Sequence, residues 1–173
     1  MVEKFLDYIK FERNYSPMTV INYRKDLTEF ERFYKELEPQ LSWESIDSDI
    51  VRNWREYMMD RGNSASSVNR RLSALRSFYR FALRRKLIEK GPVHGLQGPK
   101  RQKPLPQFLK ESEMERLLDS KMWTDSYKDV LERAIIITFY VTGIRLSELI
   151  GLDDKDIDNV TCEIKVTGKR NKQ

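Results

Sequence analysis

The sequence is poorest in the residues that many catalytic chemistries require. Among 173 residues there is one cysteine, Cys162, and one histidine, His94. A lone thiol makes no internal disulfide and fits a reducing cytoplasm, the expected location. Without a Cys/His cluster, a zinc site is not expected. Cys162 is expected to be a small apolar side chain in a strand, and His94 falls in a loop. Long hydrophobic runs are missing too: nothing approaches the roughly 18 apolar residues of a membrane span. The opening Met1-Val2-Glu3-Lys4-Phe5-Leu6-Asp7 is amphipathic and carries acids, unlike a signal peptide. What remains, 39% hydrophobic and 34% charged, is the composition of a soluble globular protein, long enough for one domain or two small ones.

The most telling shortage is local. Residues 64–103 hold 11 lysines and arginines but one acid, Glu89, a net charge of +10. The flanking segments are slightly acidic, with 10 bases against 13 acids before and 11 against 13 after. A block of one sign repels itself unless a polyanion neutralises it, and nucleic acid is the usual one.

Hydrophobic spacing makes the chain mainly α. A first helix over about Val2–Glu12 buries Phe5, Leu6 and Ile9. Ser16-Pro17 opens a second, with serine as N-cap and proline at the first position, and Val20, Tyr23, Leu27, Phe30 and Tyr34 as its stripe. A third runs from about Asp47–Ser48 to Arg61, using Ile50, Val51, Trp54 and Met58, and Gly62-Asn63 ends it. The fourth, about Ser66–Lys86, buries Val68, Leu72, Leu75, Phe78, Tyr79, Phe81 and Ala82. Its other stripe reads Ser66, Arg70, Ser73, Ser77, Arg80, Arg84, with Arg71, Arg76 and Arg85 alongside. Small hydroxyl residues alternating with arginines let a helix come close to a duplex and donate to phosphates and base edges. The plainer reading is a solubilising face, but such faces usually carry acidic partners at i,i+4, and this helix has none.

Residues 91–107 lack periodicity and are punctuated by Gly91-Pro92, Gly95, Gly98-Pro99 and Pro104-Leu105-Pro106. They are predicted to be an extended linker whose Lys100, Arg101 and Lys103 track a phosphate backbone. The expected organisation is thus a helical unit over 1–90, a linker over 91–107 and a second unit over 108–173. In that second unit, Glu111–Leu118 and Ser126–Val141 read as helices, the latter strongly apolar through Leu131, Ile135, Ile136, Phe139 and Tyr140. Gly143 suits its stop. Arg145–Ile150 reads as a short helix and Asp153–Ile157 as a turn. Thr161–Val166 alternates as a strand, followed by a hairpin turn over 168–172. Thr142-Gly143-Ile144-Arg145-Leu146-Ser147-Glu148-Leu149 sets one arginine at a helix head just past a glycine. There it serves either a surface salt bridge or a two-oxygen grip on phosphate.

Together these segments resemble a tyrosine recombinase of the Xer type, in the phage integrase family. The resemblance is carried by Ser16-Pro-Met-Thr-Val-Ile-Asn-Tyr-Arg-Lys-Asp-Leu27, Asn69-Arg-Arg-Leu-Ser-Ala-Leu-Arg-Ser-Phe-Tyr-Arg80, Gly98-Pro-Lys100 with Leu105-Pro106, the Arg145 segment and Val166-Thr-Gly-Lys169. It implies a four-helix SAM-like core-binding domain followed by an α+β catalytic domain ending here in a β-hairpin. The two would close on a double-stranded recombination site. Cleavage in the family runs through a 3′-phosphotyrosine, which conserves bond energy and needs no cofactor. Arg145 then matches the first catalytic arginine and Lys169 the hairpin lysine, a general acid for the leaving oxygen. Glu148 matches the supporting acid. Arg70, Arg71, Ser73, Arg76, Ser77, Arg80, Arg84, Lys100, Arg101 and Lys103 are the expected DNA contacts.

The family's His-x-x-Arg pair and nucleophilic tyrosine come after the hairpin lysine, whereas all eight tyrosines here precede Arg145. The expectation is a truncated recombinase that binds DNA without cutting it, monomeric alone and tetrameric on DNA in its complete form. The alternatives are a stand-alone helical DNA-binding protein, and a helical interaction protein that leaves the +10 block unexplained.

Overall fold

The computed structural model describes residues 1–101, 105–119, 121–166 and 168, and the chain divides into two compact units, Met1–Pro104 and Leu105–Gln173. In the first, helix α1 (Val2–Asp7) widens into a π-helical turn over Tyr8–Glu12. Helix α2 (Pro17–Leu37) starts where the Ser16 hydroxyl accepts from the Thr19 N–H at 3.3 Å, with Pro17 needing no partner for an N–H it lacks. Helix α3 (Ser48–Asp60) is capped by Asp47, whose carboxylate accepts from Asp49 and Ile50 at 2.9 Å each. Helix α4 (Ala65–Arg84) is capped by Ser64 and gives way to Lys86 in the left-handed region.

The core lies where these helices face one another. Phe5, Leu27, Phe30, Tyr34, Val51, Trp54, Leu72, Leu75, Phe78 and Tyr79 are all within 2% of complete burial. The loop after α2 returns Trp43 and Ile46 to this core, and Trp43 packs 4.5 Å from Phe78, ring to ring. The Tyr79 hydroxyl donates to the Trp43 carbonyl at 3.1 Å, so this buried polar group of α4 has a partner.

The predicted linker is not free over its first half. Val93 and Leu96 pack against the core, and α3 and α4 hold the carbonyls between them: Arg76 donates to Leu96 at 2.8 Å, Arg55 to Gln97 at 3.1 Å and Asn69 to Pro99 at 2.8 Å. Two apolar residues among glycines and prolines have no period to read. Long side chains from elsewhere turn this stretch into a strap.

The second unit contains α5 (Glu111–Leu118), α6 (Tyr127–Thr142), α7 (Leu146–Ile150), a 3₁₀ turn over Asp154–Asp156 and a two-stranded sheet. Ser126 caps α6, and Gly143, at φ 64, closes it in the left-handed conformation. Among the described residues of this unit only Met114 is a buried apolar side chain; Leu131 and Tyr140 of α6 are 44% and 48% exposed.

The predicted strand is shorter than expected and, among the described residues, pairs with a strand that precedes it. Strand β2 (Glu163–Ile164) pairs antiparallel with β1 (Ile157–Asp158), in the register Ile157↔Ile164 and Asp158↔Glu163. Asp158 folds the turn by accepting from the Val160 and Thr161 N–H groups at 2.8 and 3.1 Å. Cys162, expected inside the strand, is an exposed turn residue with φ 56. Of the turn predicted over 168–172, only Gly168 is among the described residues.

Candidate nucleic-acid interface

The structure sorts the cations of α4 into two groups. Arg70 and Arg71 point at α2, where Asp26 is 1% exposed. Both Asp26 oxygens accept from Arg70, the longer bond at 2.8 Å, and Arg71 lies 3.8 Å from Asp26 and 3.2 Å from Glu29. Arg71 also donates to the Asn63 side chain at 2.7 Å and is only 17% exposed, whereas Arg70 keeps 45% of its side chain in solvent. Arg85 is paired with Glu12 at 2.6 Å. The acids missing from α4 at i,i+4 are therefore supplied from α2 and the π turn. Periodicity within one helix cannot see them. Burial pushes the Asp26 carboxyl above the ordinary 3.8, although both guanidiniums pull it down.

The second group stays available. Arg80 and Arg84 are exposed, Ser77 is half-buried beside them, and the contact of Arg84 is a 3.3 Å donation to the Tyr8 hydroxyl. With Tyr8, Arg13 and Tyr15 they line a cleft of about 90 Å³. Sequence reasoning missed Arg13, Tyr8 and Tyr15 because they precede the basic block and belong to a different helix pattern. Arg76 is held on the strap through Leu96, and the Ser73 hydroxyl is bonded back to the Asn69 carbonyl at 2.8 Å. Lys100 and Arg101 are exposed at the end of the strap, and Lys103 lies outside the described residues.

In the second unit, Arg145 is the N-cap of α7 and Glu148 its third residue. The Glu148 carboxylate accepts from the Arg145 N–H at 2.8 Å with one oxygen and from its guanidinium at 2.6 Å with the other. This is the return half of a capping box, with the cap's side chain caught as well. Those two bonds, backbone first, hold the Glu148 carboxyl below the ordinary 4.5. Glu148 is 8% exposed and Arg145 is 72% exposed. The guanidinium is thus anchored through one of five donors and presents the others outward. Lys169, expected to join it, lies outside the described residues.

A family described as "Phage integrase, N-terminal SAM-like domain" matches residues 2–86, which hold α1 to α4. Curated relatives match nearly the whole chain. A tyrosine recombinase XerC of Natranaerobius thermophilus is 38% identical over 167 residues, 96% of this chain and 55% of the relative. Another XerC, from Escherichia coli O8, is 37% identical over 172 residues, 99% of this chain and 57% of the relative. The chain is similar to phage integrases and tyrosine recombinases along nearly its whole length. It spans just over half the length of these curated tyrosine recombinases. The fold agrees: a Tn1549 transposon integrase, solved in complex with transposon right end DNA, is 20% identical with a TM-score of 0.68, over 91% of this chain and 49% of that one. A second Tn1549 integrase, in complex with a circular intermediate DNA, has a TM-score of 0.66 at 21% identity over the same share of this chain. The SAM-like, mainly helical integrase architecture expected from the sequence is the one observed.

Proposed function

We propose that this chain is the DNA-binding portion of a site-specific tyrosine recombinase, and that it grips duplex DNA through α4 and the strap after it. The observation that carries the reading is the charge of that segment: 11 bases against one acid, with the exposed ones gathered on one helix and the strap. Ser77, Arg80, Arg84, Lys100 and Arg101 are the direct contacts. Arg70 contributes its outward donors, and Arg71 chiefly sets its neighbours through Asp26 and Glu29. Ser73 and Arg76 offer what their bonds to the helix and the strap leave free, and Lys103, two residues on from Arg101 in the sequence, is a further contact.

Arg145 takes the role of the arginine on the scissile phosphate. As the phosphodiester is displaced, negative charge builds on its non-bridging oxygens, and a guanidinium already fixed in place stabilises it without reorganising. Glu148 is the positioning residue that fixes it. Lys169, in the family's hairpin position, donates the proton to the leaving 5′-oxygen. The reaction of the complete protein needs no metal or nucleotide. The chain by itself binds as a monomer.

The test is fluorescence anisotropy of a labelled duplex of about 30 base pairs at several salt concentrations. Micromolar or tighter binding that weakens steeply with salt supports the reading. Absence of binding at low salt overturns it.

A further inference from the structure

The cleft beneath the C-terminal half of α4 is built by an irregular piece of backbone. The π turn over Tyr8–Glu12 leaves the Arg13 backbone N–H donating to the Tyr8 carbonyl at 3.0 Å. Asn14 then adopts φ 51, and the Tyr15 N–H reaches back to Ile9 at 2.9 Å. A π turn and a left-handed non-glycine residue in succession are uncommon, and such departures cluster at functional sites. Here they bring Tyr8, Arg13 and Tyr15 to the face of α4 that presents Ser77, Arg80 and Arg84. No Asp or Glu lines the cleft. Every polar side chain there can donate: three guanidiniums, two phenols and a hydroxyl. At about 90 Å³ the cleft is small, and it has room for the oxygens of a phosphate group.

We propose that this cleft seats a single phosphodiester of the DNA backbone, with Arg13 as a phosphate-binding residue beside Arg80 and Arg84. The proposal rests on the DNA-binding function proposed for α4 and adds a specific seat to it. Phosphate contacts fix register and orientation rather than sequence. The seat therefore sets where along the duplex α4 comes to lie.

The experiment tracks the arginine Nε–H signals of the full chain by NMR at constant ionic strength, first with inorganic phosphate replacing chloride, then with the 30-base-pair duplex. The variants are Arg13→Gln with Arg80→Gln, and a charge-matched control, Lys121→Gln with Lys128→Gln. Circular dichroism verifies that each remains folded. Expected are shifts of the Arg13, Arg80 and Arg84 signals with both ligands. The Arg13/Arg80 variant should also lose about two units of log–log salt slope on the duplex, and the lysine control clearly less. If the duplex binds while these three signals stay still, the seat is overturned and DNA binding stands. If phosphate shifts them and a bound duplex does not, the cleft takes free anions and the backbone seat is overturned. If no duplex binds at any salt, the DNA reading fails and the backbone seat falls with it, whatever phosphate alone does.

Discussion

Asp26 lies 1% exposed on α2, with both oxygens accepting from Arg70 and Arg71 close by. Removing its carboxylate deletes both bonds from Arg70 and takes a negative charge from beside the mostly buried Arg71, which keeps Glu29 and Asn63. Asp26→Ala should therefore cost about 1–3 kcal/mol, read by urea unfolding through Trp43 and Trp54 fluorescence. The same change frees the half-exposed Arg70. Duplex affinity should rise at low salt, with a salt slope steeper by up to about one unit. A variant less stable yet tighter on DNA is an outcome that simple loss of fold cannot imitate. In the second unit, Glu148 has a depressed carboxyl pKa. Its support of Arg145 is present above the ordinary 4.5 and is lost as pH falls through the lower folded value. Carbon-detected NMR titration should place its midpoint below 4.5, and Arg145→Ala should move it upward. An unmoved midpoint would show that the guanidinium does not hold the carboxylate.

At the scale of elements, the strap over residues 91–99 is the part whose docking can be cut most cleanly. A Cβ on Gly98 would sit 2.0 Å from the Asn69 side-chain oxygen, and Asn69 is held by bonds to the Ala65 and Pro99 carbonyls at 2.7 and 2.8 Å. Gly98→Ala must break at least one of them, a loss of about 1 kcal/mol. Trypsin cleavage after Lys100 or Arg101 should accelerate, with the melting temperature lowered by about 4–8 °C at most. The helices themselves were legible in the sequence. Ser16-Pro17, Asp47, Ser126 and Gly143 are local signals, read with no knowledge of what packs nearby, and the core stripes of α2, α3 and α4 emerged from spacing. What escaped depends on other elements. The strap is held by side chains from α3 and α4, Arg70 is neutralised from α2, and β1 is two residues long, too short for alternation to show. The π turn escaped because Tyr8-Ile9-Lys10-Phe11-Glu12 has the composition of an ordinary helix.

At the scale of the whole molecule, apolar burial is concentrated in one unit. Apart from Met114, every fully buried apolar side chain among the described residues belongs to Met1–Pro104. Cooperative unfolding should report that unit alone. The isolated segment 1–104 should melt within a few degrees of the full chain and keep most of its salt-dependent duplex affinity. A fall of 10 °C or more would mean that residues 105–173 support the helices directly.

The π turn also has a consequence for how the N-terminal helix could vary. It carries one residue more than an α-helical turn, and each residue of a helix advances the phase by about 100°. Deleting Lys10, an exposed residue within the turn, would let the segment wind as plain α-helix. Phe5, Leu6 and Ile9 are anchored in the core, so the lost phase would fall on the residues C-terminal to them. Arg13 and Tyr15 would swing out of the cleft while the core and its stability remained. A chain with that deletion should fold, bind duplex with a flatter salt dependence, and no longer be held at one position along it.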